Sequence, residues 1–558
     1  MEVAVRPDII VSSAAKAGRL VLRFPYDATL VALVKTVPDR RYHPEEKCWS
    51  IPGFSLRDLQ ARAVQARVRV HLTESVAAAL EQGQRDRFAL KAAKDVQDVD
   101  LTLPTATLLY PYQRAGVAFL VEALRRFKGA LLADDMGLGK SLQALSLLAL
   151  AAKLDNVLIL CPASIKYVWA AEIEKHYPQF SYTIVGGTPE ERKIQWAERS
   201  RIKIANYELL LRDATVKVRD WDMVVADECT RIKNYQAKTT RAAKGLNRRY
   251  SLGLSGAPVE NRLEELHSIF DFVMPGLLGP GWLFVARHCV KNHFGAVVGY
   301  RGIDQVRERI GPHYLRRLKA EVLPELPPKV MTDVQLELSK GEWEVYDGIR
   351  QQIVEFVETN PHLAVANVLT EILRLKQCAD DVRLLGLPQE DGGGTKIKAL
   401  RDILEAGEGH KIVAFTQFAE MAKLVAGELE GVLFYGDMSP EERAAAIQEF
   451  QEGSRQLFVS TEAGAYGVTL TAADIVVHID QPWNPARLRQ REDRLHRIGQ
   501  KSSVQVVNLL ARRTVDEYVR RIIHRKRELQ QKVLGAEDDG VYQTVTKSDL
   551  LGLLKGES

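Results

Sequence analysis

The residues best suited to chemistry fall in three stretches. Gly137-Leu138-Gly139 runs directly into Lys140 and Ser141, and it follows the short apolar run Ala130–Ala133. Glycines let backbone N–H groups close on phosphate oxygens, and a helix starting at the lysine favours negative charge at its N-terminus. In that reading the backbone of Asp135, Met136, Gly137, Leu138 and Gly139 cradles the phosphates. Lys140 reaches the outer phosphates and Ser141 helps to hold Mg²⁺. The strict phosphate-loop pattern asks for glycine at position 134, where this chain has aspartate.

The second stretch is Met223-Val-Val-Ala-Asp227-Glu228, an apolar run that delivers two carboxylates to its end. Asp227 is expected to hold the metal and Glu228 to orient or deprotonate a water. The third stretch is Gln490-Arg-Glu-Asp-Arg-Leu-His-Arg-Ile-Gly-Gln500. Arg491, Arg494 and Arg497 are spaced by three and are expected to share one helix face. A guanidinium stays ionised and donates two bonds at once, which suits developing phosphate charge. A nucleoside triphosphate and Mg²⁺ are the expected ligands of the three stretches together.

The elements that must carry these residues repeat twice. Candidate strands at 130–133, 157–161, 202–206, 223–226 and 250–254 alternate with helix-length segments. A second set lies at 411–415, 432–435, 457–460, 475–479 and 504–509. Such spacing predicts an α/β protein of two tandem, doubly wound parallel-sheet lobes. Helical insertions are expected between about 261 and 396, and a small α+β module at the N-terminus. The expected domains are 1–72 (the small module), 73–100 (a helical linker), 101–330 (the first lobe), 331–540 (insertion and second lobe) and 541–558 (a tail).

Composition narrows the classes. In 558 residues, 46% are hydrophobic and 27% charged, which excludes a mainly disordered chain. No apolar run approaches the ~20 residues of a membrane-spanning helix, and no secretory signal is visible. Five scattered cysteines form no CxxC pair, so neither a disulfide framework nor a zinc knuckle is expected, and a reducing, cytoplasmic compartment is. Residues 487–532 carry 14 Lys and Arg against 5 Asp and Glu, and residues 1–72 carry 12 against 7. Basic segments of this kind suit a polyanion such as nucleic acid.

With these pieces in order, the sequence resembles a SWI/SNF-type DNA translocase, a branch of the superfamily-two helicase-like motors, over about 107–532. Tyr112-Gln113 resembles the family's adenine-sensing element, which implies that Gln113 reads the base. Leu160-Cys-Pro-Ala-Ser-Ile-Lys-Tyr-Val-Trp169 resembles its first DNA-contacting motif, implying DNA contacts for Lys166 and Trp169, and by the same resemblance for Asn206 and Tyr207. Leu254-Ser-Gly-Ala-Pro-Val-Glu-Asn261 is similar to the element coupling nucleotide state to lobe movement, and Leu315-Arg-Arg-Leu-Lys319 with Leu326-Pro-Pro-Lys329 to a further signature.

In the second lobe, Phe415-Thr-Gln-Phe418 and Ser460-Thr-Glu-Ala-Gly-Ala-Tyr-Gly467 resemble motifs touching DNA and nucleotide. The resemblance assigns Thr416, Gln417, Ser460 and Thr461 to DNA and Gly467 to nucleotide. Trp483-Asn-Pro485 adds a DNA contact at Trp483, and the Asp493–Gln500 segment makes Arg494 and Arg497 the arginine fingers. Departures from the family pattern are Thr230 for histidine, Ser141 for threonine, Ala465 for glycine and Thr469 for asparagine.

The N-terminal stretch is similar to the HARP module of annealing helicases in Phe24-Pro-Tyr-Asp27, Arg40–Trp49 and Ile51-Pro52. That implies junction contacts for Arg40, Arg41 and Trp49. The resemblance implies an ATP-driven translocase on double-stranded or forked DNA, acting as a monomer and reannealing or remodelling forks. Two other readings are a motor that strips proteins from DNA or drives a defence complex, and a non-catalytic junction-binding scaffold.

Overall fold

A computed structural model describes residues 9–14, 18–96, 98–101, 103, 108–151, 153–256, 258, 262–292, 295, 297–360, 365–389, 394–461, 470–497, 500 and 502–534. The N-terminal module is a five-stranded mixed sheet of β1 (Ile9–Ser13), β2 (Arg19–Arg23), β3 (Arg41–His43), β4 (Cys48–Pro52) and β5 (Val70–Leu72), in the order β3-β4-β2-β1-β5. Helices Ala28–Lys35 and Leu56–Gln65 cover it, closing a core of Ile9, Val11, Leu22, Leu30, Val34, Ile51 and Leu59. Asp27 caps the first of these helices by accepting from the Thr29 and Leu30 amides.

The first large sheet contains β6 (Gly129–Leu132), β7 (Val157–Cys161), β8 (Tyr182–Ile184), β9 (Ile202–Asn206), β10 (Trp221–Asp227) and β11 (Arg248–Leu254). A hairpin, β12 (Cys289–Lys291) and β13 (Val297–Tyr300), lies in the insertion that follows, and β14 (Tyr314–Leu315) returns to the sheet. The order is β14-β6-β11-β10-β7-β9-β8, and every neighbouring pair is parallel. Strands with both faces covered must be apolar throughout, and β7 is buried at all five positions. Two separate hydrophobic clusters, one on each face, give the doubly wound arrangement.

The second sheet orders β15 (Lys329–Leu336), β16 (Ile412–Thr416), β17 (Val432–Phe434), β18 (Leu457–Thr461), β19 (Ile475–His478) and β20 (Val504–Ala511) as β15-β20-β19-β16-β18-β17, again all parallel. Helices Lys340–Thr359 and Val365–Asp380 form the insertion and share a core with the C-terminal helix Val515–Leu534. Two RecA-like parallel sheets with helical insertions and a small mixed-sheet module are the architecture. Among the described residues no helix is long and apolar enough to cross a membrane.

In a parallel sheet all the strands end on one edge, and ligands bind outside those carboxyl ends. The phosphate-loop run leaves β6 and the acidic pair leaves β10, so both meet at one edge with β11 between them.

Candidate nucleotide site

Gly137 and Gly139 adopt φ of +82° and +75°, a region that only glycine enters readily, and Gly139 then starts the helix Lys140–Leu150. The loop is braced by the strand beside it: the Ala133 amide donates to the Leu315 carbonyl at 2.7 Å and the Asp135 amide to the Arg317 carbonyl at 3.0 Å. Asp134, standing where the strict pattern has glycine, is fully buried. Its carboxylate accepts from Arg317 Nε at 3.0 Å and from Gln143 Nε2 at 3.1 Å. It therefore works as a structural anchor for the loop rather than as a phosphate contact. The Arg317 guanidinium also lies 5.3 Å from the centre of the Tyr112 ring.

Lys140 Nζ donates to the carbonyls of Asp134 (2.7 Å) and Asp135 (3.2 Å). Asp227 closes β10 and is 9% exposed. Trp169 Nε1 donates to its Oδ2 at 2.8 Å, the Glu228 amide donates to its Oδ1 at 2.9 Å, and the Tyr207 hydroxyl donates to its carbonyl at 2.7 Å. Burial pushes the Asp227 carboxyl above its ordinary pKa, against the Trp169 hydrogen bond and the nearby Lys140 charge. Glu228 sits at φ +47°, a strained conformation for a side-chain-bearing residue, and it turns the chain sharply away from the strand. A cavity of about 200 Å³ beside it is lined by Met136, Glu228, Thr230, Arg231 and Ser255 from the first lobe and by Arg487 and Gln490 from the second.

The second lobe closes on the phosphate loop. A side-chain carbon placed on Gly137 would stand 3.4 Å from Cβ of Arg497 and 3.5 Å from Cε of Lys319. Lys319 Nζ is 2.5 Å from Asp493, and its amide donates to Asp135 at 3.2 Å. Burial pulls the Arg497 guanidinium below its ordinary pKa, with the charges of Glu172 and Asp493 opposing. Lys140, Asp227 and Glu228 of the first lobe and Arg497 of the second thus gather at the junction of the two lobes.

Several expectations are corrected. Arg491, Arg494 and Arg497 do not share a helix face: helix Pro485–Glu492 ends before two of them, and a tight turn follows. Arg491 points inward, 1% exposed, donating to the Asp480 carbonyl at 3.0 Å, while Arg494 is half-buried in the turn. Gln113 is buried. Its Oε1 accepts the Tyr110 amide and its Nε2 donates to the Leu138 carbonyl, so it lies against the phosphate loop. Trp169 and Tyr207, expected at the surface, are 2% and 1% exposed and hold Asp227. Thr416, Ser460 and Thr461 are buried at strand ends, with Thr416 donating to Asp480 at 2.5 Å.

The remaining candidates lie nearer the surface. Lys166 is half-buried and donates to the Val185 carbonyl at 2.9 Å; Asn206 donates to Glu208 at 2.6 Å, and Gln417 to Asp480 at 2.6 Å. Trp483 is half-buried with Lys376 over its ring. Arg40 and Arg41 are exposed, and Trp49 is half-buried against Tyr42 at 5.0 Å. Gly467, Ala465 and Thr469 lie outside the described residues. Arg317, Gln143, Lys319 and Asp493 are site residues that spacing alone did not single out. For Arg317 the signal was its place in the Leu315–Lys319 signature.

Among the described residues no group of three or more His, Cys, Asp or Glu could hold a metal ion. Magnesium bound with nucleotide needs less, because phosphates and waters supply most of its ligands. Ser141, in the first turn of the helix after the loop, and Asp227, at the end of β10, are the residues that would hold it.

The SNF2-related domain matches residues 112–384 and the helicase conserved C-terminal domain matches residues 395–499. The chain is 33% identical over 480 residues to an ATP-dependent helicase of Mycoplasma pneumoniae, covering 83% of this chain and 45% of that protein. It is 30% identical over 443 residues to the chromodomain-helicase-DNA-binding protein 1-like of Danio rerio, covering 74% and 42%. The solved SWI2/SNF2 ATPase core of Sulfolobus solfataricus in complex with dsDNA is 31% identical, with 78% of this chain and 95% of that one covered and a TM-score of 0.40. The chain spans less than half the length of the two curated relatives named. With both domains in order and the phosphate loop, acidic pair and second-lobe arginine meeting at one edge, the chain belongs to the SNF2-type family of helicase-like ATPases.

Proposed function

We propose that this chain is an ATP-driven translocase on double-stranded DNA. The observation that carries the reading is the convergence at one sheet edge of Lys140, Asp227 and Glu228 from the first lobe with Arg497 from the second. ATP would take its phosphates against the loop backbone and Lys140, with Glu228 orienting the attacking water and Arg497 and Arg494 meeting the transferred charge. Magnesium, held by Ser141 and Asp227, would neutralise phosphate charge. Because the two lobes supply different parts of one site, turnover and lobe movement are coupled. Contacts along the phosphate backbone give low sequence preference and strong salt dependence. The names of the relatives, an ATP-dependent helicase and a helicase-DNA-binding protein, agree with ATP and DNA as substrates.

The finer reading is fork remodelling or annealing, with the N-terminal module as the junction sensor. In support, Arg40, Arg41, Tyr42 and Lys47 are exposed in or beside the β3–β4 hairpin, and Tyr26 is 91% exposed. Cations grip phosphates and exposed rings stack on unpaired bases. The module is seated on the first lobe through an Asp58–Arg287 ion pair and through Phe54, whose ring would lie 3.5 Å from a side-chain carbon on Gly279.

The test is ATP hydrolysis at matched nucleotide with no DNA, single strands, plain duplex and forked duplex. Strong stimulation by duplex is expected, with a further increase on the fork. Hydrolysis indifferent to DNA would overturn the substrate, and equal rates on duplex and fork would remove the junction role. Greater activity on protein-blocked duplex would favour the displacement reading.

A further inference from the structure

Two segments that resemble DNA-contacting motifs, 160–169 and 206–207, each divide their residues between surface and interior. On the helix Lys166–His176, Tyr167 is 68% exposed while Trp169 is buried and bonded to the Asp227 carboxylate. At the end of β9, Asn206 is half-buried and bonded to Glu208, while the adjoining Tyr207 is buried and bonded to the Asp227 carbonyl. Both inner side chains, from different elements, end on the same residue.

The effect on the acidic pair is specific. Each Asp227 carboxylate oxygen has its own donor, Trp169 on Oδ2 and the Glu228 amide on Oδ1, so the group is fixed in rotation. The peptide leading into Glu228 is pinned by Tyr207 on one side, and the Glu228 carbonyl accepts the Arg231 amide at 2.9 Å on the other. Glu228 keeps its φ of +47° between these two fixed points. Both side-chain donors are neutral, so Trp169 orients the carboxylate and Tyr207 the backbone carbonyl without cancelling the charge a metal would use.

We infer that Trp169 and Tyr207 are positioning residues that tie the Asp227–Glu228 pair to the two surface segments. Duplex engaging those segments sets the geometry of the acidic pair through these two hydrogen bonds. The inference rests on the ATP-driven reading above.

Trp169→Phe and Tyr207→Phe remove the donors, the first with the loss of one of the two indole rings and the second with the loss of a single oxygen. Three quantities separate the possibilities: calorimetric affinity for a non-hydrolysable ATP analogue with magnesium and with chelator, affinity for a plain duplex, and the ratio of hydrolysis rates with and without that duplex. Trp169→Phe is expected to weaken magnesium-dependent analogue binding by about tenfold and to leave binding in chelator unchanged. Tyr207→Phe is expected to lower the stimulation ratio by about tenfold, with duplex affinity held within about twofold.

Wild-type magnesium dependence and wild-type stimulation in both variants would overturn the inference. So would a loss of duplex affinity parallel to the loss of rate, because the side chains would then be DNA contacts. If Trp169→Phe fails to fold, Tyr207→Phe, which loses a single oxygen, decides the matter. If the unaltered protein ignores duplex altogether, the translocase reading fails, and the magnesium dependence of Trp169→Phe still tests the tether.

Discussion

At the edge of the first sheet, Asp227 closes β10 with two neutral side chains, Trp169 and Tyr207, fastened to it and a cavity alongside. At the same edge of the second sheet, Asp480 follows β19 fully buried among charges. It accepts from Thr416 Oγ1 at 2.5 Å and from the Gln417 amide at 2.8 Å, and Arg491 lies 3.8 Å away. Burial would push Asp480 up, but Lys376 and Arg491 hold it below its ordinary pKa. Behind it, Lys396 Nζ bridges Asp380 and Asp516, both at 2.7 Å, and none of the three is exposed by more than a few per cent. The two lobes share a topology and divide the labour. One edge keeps a carboxylate oriented and its charge available, while the other spends its carboxylates on locking strands, insertion and C-terminal helix together.

That contrast breaks most sharply at Arg497, which the second lobe brings against the phosphate loop. Arg497→Ala is expected to lower kcat by about 10³-fold or more while ATP affinity stays within a few fold, since a charge-stabilising arginine acts in the transition state. Steady-state rates beside direct nucleotide binding check this. A proportional loss of both would make Arg497 a binding residue only. Next in size, Glu228→Gln is expected to cost about 10²–10⁴-fold in rate. Duplex affinity and thermal midpoint should stay at wild-type values, because the first-lobe edge is built for chemistry rather than cohesion.

The second-lobe counterpart should behave in the opposite way. Lys396→Met leaves Asp380 and Asp516 buried without their shared cation, and breaking a buried pair in this manner costs about 3–5 kcal/mol. Denaturant unfolding should show that loss. At temperatures where the variant remains folded, hydrolysis per folded molecule should match wild type. Loss of rate without loss of stability would show the ion network to be part of the site.

How much of this was legible in the sequence follows from which residues carry their own signal. Strands buried on both faces read as continuous apolar runs, so β7, β10 and β16 could be placed within a residue or two. The glycine loop and acidic pair were legible because their chemistry needs those residue types at those spacings. Of the edge strands, β17 was placed at 432–435, whereas β8, β14 and β15 were not. β15, Lys-Val-Met-Thr-Asp-Val-Gln-Leu, is largely exposed and mixes polar with apolar residues, and β8 and β14 are two or three residues long.

Motif letters also cannot say which way a side chain turns at a strand end, so Trp169, Tyr207, Thr416 and Ser460 were read as surface contacts and are buried. The Asp134–Arg317 pair joins residues 183 apart, a separation that no local pattern encodes.

The smallest expected effect tests the comparison from the acid side. Where the second lobe relies on an ion network, the first buries a neutral histidine just before β14. His313 packs edge-on to Phe127 at 4.5 Å, and burial brings its pKa down to about 4, with the charges of Arg87 and Lys94 adding to the fall and a Gly129 backbone bond opposing it. The unfolded chain takes up this proton below its ordinary value of 6.5, whereas the folded chain does so only near 4. Between those values the unfolded state binds more protons, so stability falls as pH drops, by up to about 1.4 kcal/mol per pH unit, and above pH 7 the group contributes no slope. Denaturant midpoints at pH 7.5 and 5 should therefore converge in His313→Gln relative to wild type. If the two proteins lose equal stability on acidification, the acid-labile element lies elsewhere, and the buried carboxylates of the second lobe become the place to look.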